Sequence, residues 1–553
     1  MNKQLLDYFK GDELAANVWK SKYAQEEETS PDQMHKRMAK EFARIEIEYQ
    51  IAEPSSKEYN QLLVKNQLSQ YGHDRENLTE QSIYELFKDF KYIIPQGSIM
   101  SNLGNKAVTS LSNCFVIGQP TDSYGGICKK DEEMVQLMKR RGGVGIDLSS
   151  LRPAKTLVSN AAKTSTGVVS FMHRYSNSTR EVAQDGRRGA LMLSIHINHP
   201  DSLDFIKIKR DLSQVTGANI SVKISEEFMK AVENDEDYIL RFPCNKQISK
   251  DFFTPKQYGE LMTDGNGFYW KLIKAKEYWN EIIKSAHGSA EPGIIFEDNH
   301  HNYSPDGVYP QFKGITTNPC GEIFMQEYDA CRLIAVNYFS FVNNPFTPEA
   351  KFDFEKFYKI NYEAMRLSDD LIDLELEHID RILRKIVEDP EPFEDRRTEF
   401  ELWTKIKETA TASRRTGLGF TALGDALAAL GLKYDSEEGI KLIEQISRTK
   451  MESELDCTID LAILRGSFIG ADTKLEFEDD GLGNYTGKNK FYQFLATEFP
   501  EQTERMIEFN RRNVSFSTVA PTGTVSLMSQ TTSGIEPLFS PYYFRRVKIN
   551  PNE

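Results

Sequence analysis

The chain of 553 residues sets 68 Lys+Arg against 83 Asp+Glu, a formal net charge of -15; this excludes the broad basic surface of a sequence-independent nucleic-acid binder, so any nucleotide it holds belongs in a local pocket. The length supports a large core and two to four domains, unless one α/β barrel takes most of it. No apolar run reaches the roughly 18 residues of a membrane span, and the opening MNKQLLDYFKGDELAAN lacks the apolar core of a signal peptide, so no membrane partner and a cytoplasmic location are expected.

Leu14, Val18 and Trp19 fall on one face of a first helix. A second opens at Ser30-Pro31-Asp32-Gln33, where Ser30 caps, Pro31 suits the first turn and Gln33 completes a capping box, and it continues through Met34, Met38, Phe42 and Ile45. A third is predicted from Glu80 to Lys91, which makes residues 1 to about 90 a small helical domain. Beyond it, short apolar runs broken by glycine alternate with amphipathic helices, as at Asn113 to Ile117, Gly143 to Leu148 and Ala190 to Ile195. That alternation predicts an α/β sheet or barrel. A long helix is predicted from about Asn361 to Val387, with Leu367, Leu371, Leu374 and Ile379 on its buried side, followed by a solvated acidic loop from Glu388 to Glu399.

Several motifs point nowhere. Gly417-Leu418-Gly419-Phe420-Thr421-Ala422 fits a dinucleotide fingerprint, but Thr404 to Arg415 before it reads as helix or polar loop, so a helix-entry turn is expected. Gly142-Gly143-Val144-Gly145 lacks the Lys-Ser/Thr ending of a P-loop. His300-His301 has no metal-ligand partner at standard spacing, and no metal is expected. The six cysteines, Cys114, Cys128, Cys244, Cys320, Cys331 and Cys457, include no C-x-x-C pair and are too few for a disulfide scaffold.

The sharpest local feature is Thr317-Asn318-Pro319-Cys320-Gly321-Glu322, in which a carboxamide, a thiol and a carboxylate occupy alternate positions. In an extended segment all three face one small substrate, while Pro319 and Gly321 favour a loop over a regular strand. A polar turn with a stray buried cysteine is the equally weighted plain reading.

From about the second dozen residues onward the chain resembles the catalytic subunits of ribonucleotide reductases. Asn318-Pro319-Cys320-Gly321-Glu322 is similar to their finger loop, Ser112-Asn113-Cys114-Phe115-Val116 to the strand of the first redox cysteine, and Ala330-Cys331-Arg332-Leu333 to the site of the second. Arg141-Gly142-Gly143-Val144-Gly145-Ile146, Gly186-Arg187-Arg188-Gly189-Ala190 and Ala520-Pro521-Thr522-Gly523-Thr524-Val525-Ser526 follow in the family's order.

The resemblance implies a fold and a set of roles. The fold is a ten-stranded α/β barrel of two five-stranded parallel halves over residues 91–553, with Cys320 on a central loop, behind an N-terminal helical domain too short for the full ATP cone and its on-off switch. Cys320 would become a thiyl radical that takes the ribose 3′-hydrogen, Glu322 would act as general base on the 3′-hydroxyl, and Asn318 would hold the sugar hydroxyls. Cys114 and Cys331 would give two electrons and end as a disulfide, which requires their Cα atoms within roughly 4.4 to 6.8 Å. Ser98, Asn113, Pro521, Thr522, Gly523, Thr524 and Ser526 would hold the substrate, its phosphates on the glycine turn and the helix expected beyond it. Asp122, Ser123, Arg152 and Arg188 would bind a deoxynucleotide or ATP effector, with Gln184 to Ala190 relaying its identity.

The 11-residue spacing from Cys320 to Cys331 (331 − 320 = 11) and the Asn-Pro-Cys-Gly-Glu wording resemble the adenosylcobalamin-dependent class. The alternatives are a radical supplied by a separate dimetal subunit, or a non-catalytic nucleotide-binding regulatory remnant. The family continues past the equivalent of Phe544 to Glu553 through further strands and a cysteine-bearing tail, so a chain supplying that part is an expected partner, beside a thioredoxin or glutaredoxin type reductant and a second copy in a homodimer.

Overall fold

The computed structural model describes residues 3–51, 66–184, 187–246, 258–481, 485–538 and 540. The chain forms two compact units: unit 1 from Met1–Asn113, Ala330–Asp389 and Trp403–Glu553, and unit 2 from Cys114–Asp329 and Pro390–Leu402. The strands that matter most, in chain order, are β1 (Ile93–Pro95), β2 (Cys114–Val116), β3 (Gly143–Asp147), β4 (Leu191–His196), β5 (Asn219–Ile224), β6 (Gly293–Phe296), β7 (Leu333–Asn337) and β8 (Gly417–Thr421). The helices are α1 (Pro31–Ile51), α2 (Tyr124–Met138), α3 (Val168–Glu181), α4 (Phe354–Glu388), α5 (Phe393–Ser413), α6 (Glu437–Arg465) and α7 (Gly523–Ser529).

Unit 2 is built on a parallel sheet in the order β6–β5–β4–β3–β2. The strands are almost wholly buried, but apolar and polar residues alternate along them. Val144, Ile146, Leu193, Ile195 and Val222 are completely buried on one face. The alternate positions Gly145, Asp147, Ser194, His196, Asn219, Ser221 and Lys223 point to the other face and make it polar. Ser123 caps α2 by accepting from the Gly126 N–H at 3.0 Å, and α3 packs on α2 with the Tyr175 hydroxyl donating to the Ile127 carbonyl at 3.1 Å.

In unit 1, β7 pairs with β1 in antiparallel and with β8 in parallel fashion, and a further parallel bridge joins Leu418 to Ser517. The helices α1, α4 and α6 are joined by buried ion pairs: Glu46 with Arg366 at 2.6 Å and with Arg465 at 2.9 Å, and Arg465 with Asp370 at 2.7 Å. Breaking one partner of such a set leaves an uncompensated buried charge, which costs roughly 3–5 kcal/mol.

The strands expected at Asn113 to Ile117, Gly143 to Leu148 and Ala190 to Ile195 are present as β2, β3 and β4, so the mixed α/β class holds. Among the described residues the strands fall into separate sheets, not one closed ring. Four local expectations are corrected. Leu14 is 57% exposed, because the first long helix turns Ala15, Ala16, Val18 and Trp19 inward instead. The third helix stops at Phe87, and one 3-10 turn covers Lys88–Phe90. Gly417–Thr421 is a fully buried strand, not a helix-entry turn. The acidic loop is α5 from Phe393 onward, and Glu399 is buried on it, held by Lys139 at 2.7 Å and Arg140 at 3.2 Å. No helix among the described residues is long and apolar enough to cross a membrane.

Candidate active site

Residues 315–325 form a hairpin across the polar face of the unit 2 sheet. Thr316 and Thr317 pair with Met325 and Phe324, and the Asn318 N–H donates to the Ile323 carbonyl at 3.3 Å, so the loop proper is only four residues long, 319–322. Gly321 takes φ +81 at the tip, where a side chain is disfavoured. The hairpin approaches the sheet closely because position 145 has no side chain: a Cβ there would stand 2.0 Å from the Thr317 carbonyl oxygen. Its base lies at the carboxyl ends of the strands, with the Thr316 and Ser194 hydroxyls 2.6 Å apart, and its tip at the amino ends, where Asn219 Nδ2 donates to the Pro319 carbonyl at 3.2 Å.

This placement brings Cys320 to Cys114, the first residue of β2, close enough for each thiol to shift the titration of the other. Cys114 is buried and Cys320 exposed. The interaction with Cys114 favours the Cys320 thiolate and lowers the Cys320 pKa, while the same interaction, burial and the nearby Glu322 charge push Cys114 up. Burial raises Glu322 above the usual carboxylate range, and the completely buried Asn318 carboxamide beside it partly offsets this. Four predicted residues, Cys114, Asn318, Cys320 and Glu322, therefore form one cluster in unit 2. It contains a thiol pair, a carboxylate biased toward its neutral form and an amide to orient a polyhydroxyl ligand.

Cys331, Ser98, Asn113 and the turn Pro521 to Ser526 belong to unit 1. Cys331 is completely buried, and a Cβ at Gly417 would come within 2.6 Å of its sulfur. Its carbonyl accepts from the Asn113 N–H at 3.4 Å, and Asn113 Oδ1 accepts from the Ser98 N–H at 2.9 Å, which joins the two proposed substrate contacts directly. Pro521 leads into Thr522, which has φ +47 and precedes α7, and the Thr522 hydroxyl accepts from the Gly534 N–H at 2.9 Å. A Cβ at Gly523 would meet nothing within 4 Å, so the first turn of α7 is open to a ligand. The Thr524 hydroxyl lies 2.5 Å from that of Tyr23, and Ser526 bonds Ser533 at 2.7 Å.

Asp122, Ser123 and Arg152 line one cavity of about 280 Å³ with Tyr124, Asn160 and Phe171. Arg152 Nε donates to Asp122 at 2.8 Å, and its N–H donates to the same carboxylate at 3.1 Å. The Arg188 side chain lies outside the described residues, as do residues 185–186 of the expected relay segment and Tyr542, Tyr543 and residues 544–553; Ala183–Gln184 pairs in antiparallel fashion with Arg187–Arg188.

Three contributors were missed from sequence. Gly145 was quoted only as part of a motif, although a glycine inside an apolar strand signals close backbone approach. Glu375, buried on α4, accepts from the Ser110 hydroxyl at 2.5 Å, the Leu111 N–H at 2.6 Å and the Ser112 hydroxyl at 3.0 Å, which fixes the segment entering Asn113. Lys223 bonds the Ile315 carbonyl at 3.1 Å. Its signal was a lysine at an alternate position of a strand whose other alternate positions, Asn219 and Ser221, are small and uncharged.

Residues 112–551 match the family model described as ribonucleotide reductase, barrel domain. The chain is 28% identical over 466 residues to the vitamin B12-dependent ribonucleoside-diphosphate reductase of Mycobacterium tuberculosis (strain CDC 1551 / Oshkosh), covering 83% of this chain and 55% of that protein. It is 28% identical over 456 residues to the protein of the same name from Thermoplasma acidophilum (82% and 49% covered), and 24% identical over 502 residues to the ribonucleoside-diphosphate reductase large subunit of Caenorhabditis elegans (88% and 58%). The chain thus spans about half the length of the curated relatives it matches.

Proposed function

Because the chain belongs to the ribonucleotide reductase barrel-domain family, we propose that it carries the catalytic core of a ribonucleotide reductase and reduces ribonucleotides to 2′-deoxyribonucleotides for DNA precursor synthesis. The observation that carries this reading is the cluster of Cys114, Asn318, Cys320 and Glu322 on one hairpin and the adjoining strand end. Cys320 as a thiyl radical takes the 3′-hydrogen, forming S–H as C3′–H breaks. Glu322 accepts the 3′-hydroxyl proton, for which its burial-raised pKa is suited. Asn318 holds the sugar hydroxyls. Cys114 and Cys331 supply two electrons and two protons, so that ribonucleotide plus two thiols gives deoxyribonucleotide, water and a disulfide. Ser98, Asn113 and the turn Pro521 to Ser526 hold the substrate, and the Asp122–Ser123–Arg152 cavity takes the effector nucleotide.

Adenosylcobalamin is the proposed radical source. The residues fit such a group: Cys320 is exposed, and a Cβ on Gly321 beside it would meet nothing within 4 Å, so the thiol is open to a large ligand. When bound, the cofactor supplies the one-electron oxidising equivalent that Cys320 receives. The relatives' printed names support this choice over a dimetal subunit. The proposed architecture is the ten-stranded barrel over residues 91–553 behind helices within 1–90, in a cytoplasmic homodimer served by a small dithiol reductant. The parallel order β6 to β2 supports one half of that barrel.

The test is reduction of a ribonucleotide by the purified chain with dithiothreitol and a matched effector, with and without adenosylcobalamin. Cobalamin-dependent deoxynucleotide is the expected result. Product formed equally well without it, or none after each candidate partner has been added, would overturn the class or the activity respectively.

A further inference from the structure

The carboxyl-end half of the polar sheet face holds a charged cluster that the proposed chemistry leaves unused. Lys223 of β5 is 4% exposed and lies 3.1 Å from both Asp147 and Glu297. Burial alone would push the ammonium down, but the two carboxylates outweigh it and hold Lys223 above its ordinary value, while Glu297 is held well below its own. Such a cluster is a poor choice for stability alone, since well-packed apolar residues of similar volume are commonly as good or better. Its directed hydrogen bonds are what an apolar cluster lacks.

Those bonds go to the hairpin. Lys223 Nζ donates to the Ile315 carbonyl at 3.1 Å, and Asn219 Nδ2 donates to the Pro319 carbonyl at 3.2 Å. The donors are four positions apart on β5 and the acceptors four positions apart on the hairpin, in opposite order (223 − 219 = 4; 319 − 315 = 4). Both spans of an extended chain are about 13 Å, so the two rungs fit a single antiparallel register. A slip of two residues would carry Cys320 about 7 Å along the sheet, away from Cys114. Gly145 allows the hairpin to lie close but offers no lateral hold of its own.

We propose that Lys223, clamped between Asp147 and Glu297, and Asn219 are positioning residues that fix the register of the hairpin on β5 and thereby place the Cys320 thiol beside Cys114. This deepens the thiyl-radical reading and rests on it for its catalytic consequence, while the register itself does not. Lys223→Met keeps length and removes the rung. In a folded variant, judged by its melting temperature, mass-spectrometric mapping should show iodoacetamide alkylation of Cys320 changed by about tenfold, with exposed Cys128 on α2 unchanged as the internal control; kcat should fall about 10²-fold with KM altered by less than about threefold. Parental Cys320 reactivity and kcat in folded Lys223→Met would overturn the proposal. If that variant fails to fold, Asn219→Ala, which leaves the charged cluster intact, is read in the same way against the same outcomes. If the parent protein makes no deoxynucleotide, the alkylation contrast alone decides the clamp, so failure of the functional reading and failure of the clamp are separately visible.

Discussion

The absent side chain of Gly145 and the carbonyl of Thr317 define how closely the hairpin lies on the sheet, since an added Cβ would stand 2.0 Å from that oxygen and 3.3 Å from Val116 Cγ2. Gly145→Ala therefore lifts the hairpin base. We expect a stability loss of about 1–3 kcal/mol from overpacking. Activity should drop further than stability, by about 10²-fold, because a displacement near 1 Å at the reacting thiol is enough. Urea unfolding beside a turnover assay separates the two effects.

Cys320→Ser should form no deoxynucleotide under any effector or reductant. In the parent protein, a single turnover without external reductant should leave one disulfide, Cys114 to Cys331, in non-reducing peptide maps, with Cys128, Cys244 and Cys457 still thiols. A disulfide between any other pair would remove the role proposed for Cys331.

Glu322 must be ionised to accept a proton, and burial raises its pKa. The rate is thus expected to fall as pH drops through a value above the roughly 4.3 of an ordinary glutamate. In Glu322→Gln this limb of the kcat/KM profile should vanish, with about 10²- to 10⁴-fold loss of rate.

His35 is buried against Phe90 at a 4.7 Å ring separation, and burial lowers its pKa to about 3, with Arg37 adding to this and Asp32 opposing it. It stays neutral in the folded protein while the unfolded chain takes up a proton near pH 6.5. Its contribution is present above that pH and is lost as pH falls toward 3, by up to about 1.4 kcal/mol per pH unit. Denaturant unfolding of the parent and His35→Leu between about pH 7 and about pH 4 should show the shallower dependence in the variant.

Arg152 lines the cavity proposed for the effector, with Asp122 bonded to its Nε and backbone N–H. Arg152→Ala should weaken nucleoside triphosphate binding to the cavity by about 1.5–3 kcal/mol, the usual range for a hydrogen bond to a charged group. Titration calorimetry measures it; unaltered affinity would place the effector elsewhere.

What was legible in the sequence was whatever depended on local order. Alternation in Asn318, Cys320 and Glu322 already implied a shared face, and the apolar runs around Val144 and Leu193 already implied buried strands. Residues whose meaning depends on a distant partner were not legible. Glu399 sits in an acidic stretch that looks solvated until Lys139 and Arg140 neutralise it. Gly417 to Thr421 looked like a helix-entry turn because Thr404 to Arg415 before it reads as helix or polar loop. As β8 it is flat and buried beside β7, and Gly417 is required there because Cys331 occupies the space of a side chain. Leu14 was misplaced by a single helical step, since Ala15 and Ala16 are small enough to be packed in its stead.

The bond between Tyr23 and Thr524 spans 501 positions. It has a consequence for biosynthesis. Unit 1 is assembled from three separated stretches, so its closure waits until residues beyond Thr524 have been made, whereas residues 114–329 of unit 2 emerge as one stretch. Long-range closures of this kind are slow and leave apolar surface exposed meanwhile. Newly made protein therefore passes through a stage in which the hairpin is already seated on its sheet while Trp19, Tyr23 and the helices around them still await α7, and it is at that stage that a chaperone would be needed.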